Sequence, residues 1–270
     1  MSRTVGLVVP AFRPNVDALR AYVRELDRRL DLETIRVELD DPTASTRDRL
    51  EGLPASVNAV DERRGKGGAI TAGFCALETD VRAFVDADGS TAVDSVGAIV
   101  DRVRGGRTDL AVGSRRHPDA DVVTRQSARR RLLGDAFAWL ACRLLAVSVT
   151  DYQCGAKAID AAAWADVSDR LRERGFAWDV ELLALVDALD YRISEVPVTW
   201  ADDPESTVSS IWATRDLATG LCRARHRAKH LRGDRFHTAI ANRRSDAQTV
   251  IEALERRRTR SPRDRTHDDE

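Results

Sequence analysis

Two aspartates stand two positions apart where an apolar stretch ends, in the segment FVDADGST at residues 84–91. If the strand continues through them, Asp86 and Asp88 point to the same side, because strand side chains alternate between faces. Gly89 allows a turn immediately afterwards. Two carboxylates at a strand end suit Mg²⁺ or Mn²⁺ bound together with a diphosphate. Taken alone, the segment is explained equally well by a capped turn in which the two aspartates are solvated and bind no metal.

A glycine-rich segment with one lysine, RRGKGGAITAGF, occupies residues 63–74. Glycines at the start of a helix leave backbone N–H groups free to meet an anion, and Lys66 adds a positive charge. The segment lacks the spacing and the hydroxyl of a P-loop, and no dinucleotide-binding fingerprint follows the first strand. A tight helix start without a ligand is an equally good interpretation.

Arginines are concentrated in GSRRHPDADVVTRQSARRR, residues 113–131. Arg115 and Arg116 follow an expected strand, and Arg125 and Arg129 stand four apart, on one face of an expected helix. Guanidinium groups on one face are suited to binding phosphate. A solvated basic helix face is the alternative. Nucleic acid is disfavoured as a partner because no aromatic residues interleave with these arginines as a stacking surface.

Three acidic residues lie in apolar surroundings, in DYQCGAKAID (151–160) and GFAWDVELL (175–183). Asp151, Asp179 and Glu181 need partners if they are buried, and the arginine-rich segment could supply them. Spacing alone leaves open whether these carboxylates are catalytic or tie a loop to the core.

The surrounding pattern alternates short β-rich runs with amphipathic helical runs, which predicts βαβ units and a mostly parallel α/β sheet. In such a sheet, ligands bind at the edge formed by the carboxyl ends of the strands. Strands are predicted at residues 4–10, 34–39, 56–60, 81–87, 108–114 and 192–200. Helices are predicted to begin after Asn15 and to cover residues 67–78, 92–103, 125–147, 178–189 and 209–231, with disorder at residues 255–270.

Charge is unevenly distributed along the 270 residues, although the net charge is only −1. Residues 17–62 sum to −5 and residues 223–244 to +7, so one end of the molecule is expected to meet an anionic partner. The four cysteines form no C-x-x-C pair and are interpreted as reduced thiols of a cytosolic protein. No secretory signal or membrane-spanning stretch is evident, so any membrane contact is expected to be peripheral.

In their order and spacing these segments resemble the family-2 glycosyltransferases, which have a GT-A fold. More narrowly they resemble the polyprenyl-phosphate hexosyltransferases, including the dolichyl-phosphate β-glucosyltransferases. The resemblance runs from about residue 5 to about residue 232. It rests on VVPAF, RGKGGAITAGF, FVDADGST, GSRRH, RQSARRRLL, DYQCGAKAI, GFAWDVELL and EVPVTWADDPEST.

The resemblance implies a role for each matching residue. Asp88 would hold Mg²⁺ or Mn²⁺ with help from Asp86, and Arg125 and Arg129 would bind the acceptor's phosphate. The implied catalytic residues are Asp88, Arg125, Arg129 and Asp151. Nucleotide-sugar binding is implied for Pro10, Ala11, Phe12, Asp41, Lys66, Gly67, Asp86, Ala87 and Arg115. The acceptor side is implied for Arg116, Gln153, Asp179, Glu181 and Ser206.

Three positions depart from the family's usual pattern. Phe12, Arg13 and Pro14 stand where the family has Tyr-Asn-Glu, so the usual glutamate contact to the nucleotide is missing. The second strand ends in Asp-Asp-Pro-Thr at residues 40–43 instead of Asp-Asp-Gly-Ser. Thr207 stands where a lysine is expected.

The resemblance implies one GT-A domain over residues 1–232, followed by a charged tail at 233–270, disordered or partly helical. Within the domain we expect a nucleotide-sugar half at residues 1–116, an acceptor half at 117–208 and an amphipathic membrane-surface helix at 209–232.

The expected activity is inverting transfer of a hexose to dolichyl or polyprenyl phosphate at the cytoplasmic face of a membrane. UDP-glucose is the favoured donor and GDP-mannose the second. Alternatives are a family-2 enzyme with a soluble or sugar acceptor, a sugar nucleotidyltransferase, and a non-catalytic module that binds a membrane surface.

Overall fold

The computed structural model describes residues 3–123, 128–145, 147–201, 210–241 and 248–259. A central sheet has the strand order β3-β2-β1-β4-β7-β5-β8, in which only β7 runs antiparallel to its neighbours. A separate two-stranded ribbon pairs β6 with β9. The strands are β1 (Val5–Phe12), β2 (Thr34–Asp40), β3 (Ser56–Val60), β4 (Val81–Val85), β5 (Leu110–Ser114), β6 (Asp121–Val122), β7 (Ala156–Asp160), β8 (Ile193–Pro197) and β9 (Thr199–Trp200). This mostly parallel sheet confirms the predicted fold class.

Helices cover both faces of the sheet. The first begins directly after Asn15, whose side-chain oxygen accepts the N–H of Ala18 as a helix cap. The helices are α1 (Val16–Arg29), α2 (Ala44–Arg49), α3 (Lys66–Cys75), α4 (Val93–Arg104), α5 (Ala128–Leu145), α6 (Ala161–Ser168), α7 (Trp178–Ala188), α8 (Ser210–Leu231), α9 (Arg235–Ala241) and α10 (Val250–Thr259).

Two apolar cores lie on opposite faces, as the alternation of strand side chains requires. Leu7 and Val9 of β1 point into the core that α1 and α4 cover, whereas Val8 points into the core built by α3 and α5–α8. The central strands are therefore buried on both sides, whereas the edge strand β3 is exposed or half-buried.

The carboxyl ends of the parallel strands share one edge of the sheet, and the antiparallel β7 begins there. The loop before β7 therefore lies at the same edge as the loops that follow β1, β2, β4 and β5. The sequence pattern did not predict β7, because its residues AKAID place a lysine in the middle of a buried strand.

Two predictions for the carboxyl-terminal part of the chain are wrong. The strand expected over residues 192–200 is divided between β8 and β9, which belong to different sheets. The disorder expected from residue 255 is wrong for residues 255–259, because α10 continues to Thr259 and inserts Val250 and Ala253 into the core. Residues 260–270 lie outside the described part of the chain.

The structure also bears on membrane contact. Among the described residues, no helix combines the length and the apolar character that crossing a bilayer requires.

Candidate active site

Charged side chains converge at the carboxyl edge of the sheet. Asp86 follows β4 directly, and its backbone N–H donates to the carbonyl of Gly155 at 2.8 Å. Arg115 follows β5, and Asp151 precedes β7, which lies between β4 and β5. Lys66 begins α3 and reaches the same place, because its Nζ lies 2.9 Å from Oδ1 of Asp86.

The two aspartates lie at the strand end but not in the strand. β4 stops at Val85, so the predicted strand over residues 81–87 is two residues too long, and Asp88 lies in a turn closed by Gly89 at φ +72°. Asp88 is exposed, and its Oδ1 accepts the N–H of Ser90 at 2.9 Å. Burial raises the pKa of Asp86; the nearby Lys66 lowers it and Asp88 raises it further, with a net upward shift.

Lys66 is shared between two carboxylates. Its Nζ lies 3.5 Å from Oδ2 of Asp179, and Oδ1 of Asp179 accepts a 2.5 Å hydrogen bond from Lys157. Burial acts against the Lys66 ammonium, but Asp179 and Asp86 together raise its pKa above the usual range. Lys157 and Asp179 are each about 1% exposed, so this network runs from the core to the edge of the site.

The glycines at the start of α3 serve packing. A Cβ at position 67 would overlap the Trp178 side chain, and the N–H of Gly68 donates to the carbonyl of Arg174. The N–H groups of Arg64 and Gly65 donate to Asp40. These three N–H groups therefore have protein acceptors, contrary to the expectation of a free anion cradle. A nucleotide contact by Gly67 stays a prediction.

Arg115 and Asp151 form a forked ion pair. Nε and Nη2 of Arg115 donate to the two oxygens of Asp151 at 2.7 and 2.9 Å, and the Arg115 N–H adds a third bond at 3.1 Å. Burial opposes ionisation of Asp151, but the charge and hydrogen bonds of Arg115 prevail and hold its pKa at about 2. The guanidinium also lies over the Trp200 ring, 5.4 Å from its centroid.

The predicted nucleotide-binding residues of β1 and β2 lie side by side. Phe12 is 37% exposed, and the guanidinium of Arg63 lies 4.1 Å from its ring centroid. Arg13 and Asp41 both have left-handed backbones, at φ +47° and +48°, and their side chains pair at 3.2 Å. Such strained residues concentrate at functional sites. Pro10 and Ala11 lie in β1, the same strand as Phe12, and Ala11 is buried.

The buried acidic residues find different partners from those expected. Among the described side chains, Asp151 alone of these three pairs with an arginine of the 113–131 segment. Asp179 pairs with lysines, and Glu181 pairs with Arg227 of α8 at 2.6 Å. Glu181 also accepts the N–H groups of Arg172 and Glu173, so it ties α7 to its neighbours.

The remaining predicted residues are placed as follows. Ala87 packs against the core on the α1 side, and Gln153 is half-buried in the loop before β7. Arg116 is half-buried, with its N–H donating to Ser114 Oγ. Arg125 and Ser206 lie outside the described residues, as does the side chain of Arg129, whose backbone belongs to α5.

Several residues of the site escaped the sequence analysis. Lys157 and Glu195 both stand inside quoted motifs, and Glu195 accepts the N–H groups of Thr150 and Asp151. Arg64 is buried between Asp40 and Glu38, and its Nη2 has no hydrogen-bond partner among the described residues. For Lys157 and Glu195 the signal was charge inside a largely apolar run, which marks buried ion pairs without identifying the partners.

Asp86 and Asp88 offer a divalent cation hard oxygen ligands at an accessible edge, which fits Mg²⁺ or Mn²⁺. Within the described ranges no group of three or more His, Cys, Asp or Glu side chains could hold a metal ion. The remaining ligands would therefore come from a diphosphate and water.

Residues 7–154 match the family model described as "Glycosyl transferase family 2". Glycosyltransferase AglD of Haloferax volcanii is 29% identical over 217 residues, which are 77% of this chain and 34% of AglD. The dolichyl-phosphate beta-glucosyltransferase of Saccharomyces cerevisiae is 31% identical over 171 residues, 58% of this chain and 51% of the relative. The chain thus spans about half the length of these relatives or less.

Among solved structures, glucosyl-3-phosphoglycerate synthase from Mycobacterium tuberculosis, in complex with Mn²⁺, UDP and glucosyl-3-phosphoglycerate, superposes with a TM-score of 0.65. The two chains are 19% identical, and the match covers 82% of this chain and 80% of the other. At this identity the likeness concerns the fold, and it confirms the predicted GT-A-type arrangement.

Proposed function

The chain belongs to glycosyl transferase family 2, and on that premise we propose that it transfers a hexose from a nucleotide sugar to a dolichyl or polyprenyl phosphate. The observation that carries the proposal is the meeting of Lys66, Asp86, Asp88 and the Arg115–Asp151 pair at one edge of the sheet. UDP-glucose is the favoured donor, since the yeast relative is a dolichyl-phosphate beta-glucosyltransferase, and GDP-mannose is the second.

On the donor side, Asp86 and Asp88 would hold Mg²⁺ or Mn²⁺ together with the donor's diphosphate. When bound, such an ion supplies Lewis-acid neutralisation of the departing nucleoside diphosphate. Lys66 adds a fixed positive charge beside Asp86. Phe12 offers an exposed ring next to Asp41 and Arg13, where the base and ribose would bind.

The acceptor is proposed to be a phosphate monoester because its chemistry suits this set of residues. The second pKa of such a phosphate is roughly 6, so the nucleophilic oxygen is already ionised near neutral pH. Attack on the anomeric carbon from the side opposite the diphosphate inverts that carbon, and no general base is required. Arg125 and Arg129 are proposed to orient the acceptor phosphate.

Contact with a membrane is proposed to be peripheral and at the cytoplasmic face. Trp139 of α5 is 63% exposed and Phe236 of α9 is 70% exposed. The sequence around α8 and α9 carries the +7 excess between residues 223 and 244. Exposed aromatic rings beside cations are typical of proteins that lie on anionic lipid.

The test supplies the purified chain with Mn²⁺ or Mg²⁺, labelled UDP-glucose or GDP-mannose, and dolichyl or undecaprenyl phosphate in detergent. We expect label to become extractable into organic solvent only when donor, metal and lipid phosphate are all present. Asp88→Asn should abolish the transfer, because it removes the predicted metal ligand.

A second arm replaces the lipid with 3-phosphoglycerate as a soluble phosphate acceptor. Label on that acceptor and none on the lipid would support the soluble-acceptor alternative. No labelled product with any donor and acceptor would contradict the proposed activity.

A further inference from the structure

Asp179 and Asp86 both form an ion pair with Lys66, and Asp179 is the more deeply buried of the two. The Lys66 ammonium is 2.9 Å from Asp86 and 3.5 Å from Asp179, and its side chain is 13% exposed. Asp86 is 35% exposed in its side chain, whereas Asp179 is at 2%. Lys66 therefore bridges an accessible carboxylate and a buried one.

The elements that carry these groups are rigidly packed against each other. Asp179 is in the first turn of α7, next to Trp178, whose ring contacts the backbone of Gly67 in the first turn of α3. The Trp178 indole N–H donates to Thr71 Oγ1 at 3.0 Å. Helix packing thus fixes the position of the Asp179 backbone relative to the backbone of Lys66.

Lys157 keeps the buried part of the network neutral. Its ammonium donates to Asp179 at 2.5 Å and to the carbonyl of Cys154 at 2.7 Å. Both ammonium groups also lie near the Phe84 ring, whose centroid is 5.4 Å from Lys66 Nζ and 5.5 Å from Lys157 Nζ. Two cations and two carboxylates balance, so Lys66 can be held by Asp179 without leaving a net buried charge.

We propose that Asp179 is a positioning residue of the donor side, which acts through Lys66 to fix the cation that faces the donor's diphosphate. Lys157 neutralises Asp179 and makes this arrangement possible. The inference rests on the proposed function and moves Asp179 away from the acceptor side, where the resemblance implies it. Because Asp179 takes part of the Lys66 charge, Asp86 keeps negative charge for a metal ion.

The test uses the double variant Asp179→Asn with Lys157→Met. The single Asp179→Asn change would leave Lys157 as an unpaired buried cation and could unfold the chain, whereas the double change removes both partners. Calorimetry then measures binding of UDP and of GDP in the presence of MnCl₂. We expect binding of whichever nucleotide the wild type binds to weaken about tenfold, the effect of one hydrogen bond to a charged group.

Lysine labelling gives a readout that does not depend on nucleotide. Trace acetylation followed by peptide mass spectrometry compares Lys66 with Lys229, which is the other lysine left in the double variant. The Asp179 carboxylate holds the Lys66 ammonium at 3.5 Å, so removing it should free the amine and increase the Lys66 to Lys229 labelling ratio.

The matched control is Asp187→Asn with Arg232→Met, which removes an ion pair at the other end of α7. It should change neither nucleotide affinity nor Lys66 labelling. A folded double variant at positions 157 and 179 with unchanged nucleotide affinity would overturn the inference. A wild type that binds no nucleoside diphosphate with metal would overturn the proposed function and the donor-side role together, and the two failures are thus distinguishable.

Discussion

Two residues, Lys66 and Gly155, hold Asp86 in place. Lys66 pairs with it, Gly155 accepts its backbone N–H, and the absence of a side chain at position 155 leaves room for its oxygens. The motif DYQCGAK thus requires a glycine at position 155 for a steric reason, which the sequence alone did not reveal. A site of this kind depends on small groups as much as on charged ones.

Gly155→Ala should therefore impair activity more than folding. The added Cβ would overlap the Asp86 carboxyl group, so that carboxylate must turn away from Lys66. We expect lipid-linked transfer to fall at least about tenfold, while overpacking lowers the free energy of unfolding by about 1–3 kcal/mol. Gly175→Ala is the control, since nothing lies within 4 Å of its added Cβ. Equal activity of the two variants would contradict the steric argument.

Asp151 predicts an acid-sensitive contribution to stability. Its pKa is about 2 in the folded protein against a usual value of 3.8, so the folded state favours the ionised form. This stabilisation is complete above about pH 4 and is lost as the pH falls toward 2. Urea unfolding should show that Asp151→Asn costs about 2 kcal/mol at pH 6 and clearly less at pH 2.5. A cost independent of pH would contradict the assigned ion pair with Arg115.

At the scale of elements, the parallel βα units were predictable because their periodicity is strong. Strands β1 to β5 appear within a few residues of the positions that the pattern predicts. β7 and α10 were missed, since Lys157 breaks the apolar run of one and a charged composition hides the other. The partners of Asp179 and Glu181 could not be predicted either, because pairing between distant segments depends on how the helices pack. The local signal for α10 was present in Thr249 and Glu252, which form a reciprocal capping box.

If α10 is part of the folded domain, Val250→Ala should destabilise the whole chain. Val250 is fully buried, and its N–H donates to the carbonyl of Leu171. We expect the free energy of unfolding to fall by about 1–2 kcal/mol, measured by urea unfolding. Val123→Ala makes the same change at a side chain that is 65% exposed and should have little effect. Equal stability of both variants would contradict the packing of α10 against the core and would support the disordered tail that the sequence predicts.

At the scale of the whole molecule, the site edge and the basic carboxyl-terminal part differ in how completely their charges are paired. The edge neutralises its own charges by pairing Lys66 and Arg115 with carboxylates. The sequence from residue 223 to 244 sums to +7 in a chain whose total is −1, and Arg223, Arg227 and Arg232 offset part of this charge by pairing with carboxylates outside the segment. The positive charge that remains near exposed Trp139 and Phe236 predicts attraction to an anionic surface by the protein as a whole.

Vesicle sedimentation can measure this attraction. We expect the chain to bind vesicles that contain phosphatidylglycerol and to bind pure phosphatidylcholine weakly, since cations near an anionic surface contribute about 1 kcal/mol each. Raising salt from 0.1 M to 1 M shortens the screening length from about 10 Å to about 3 Å and should release most of the bound protein. Trp139→Ala and Phe236→Ala should each weaken binding at low salt, whereas Val57→Ala, at an exposed apolar side chain of β3, should not. Binding that is indifferent to both salt and these aromatic residues would contradict a peripheral contact and leave the soluble-acceptor alternative in a stronger position.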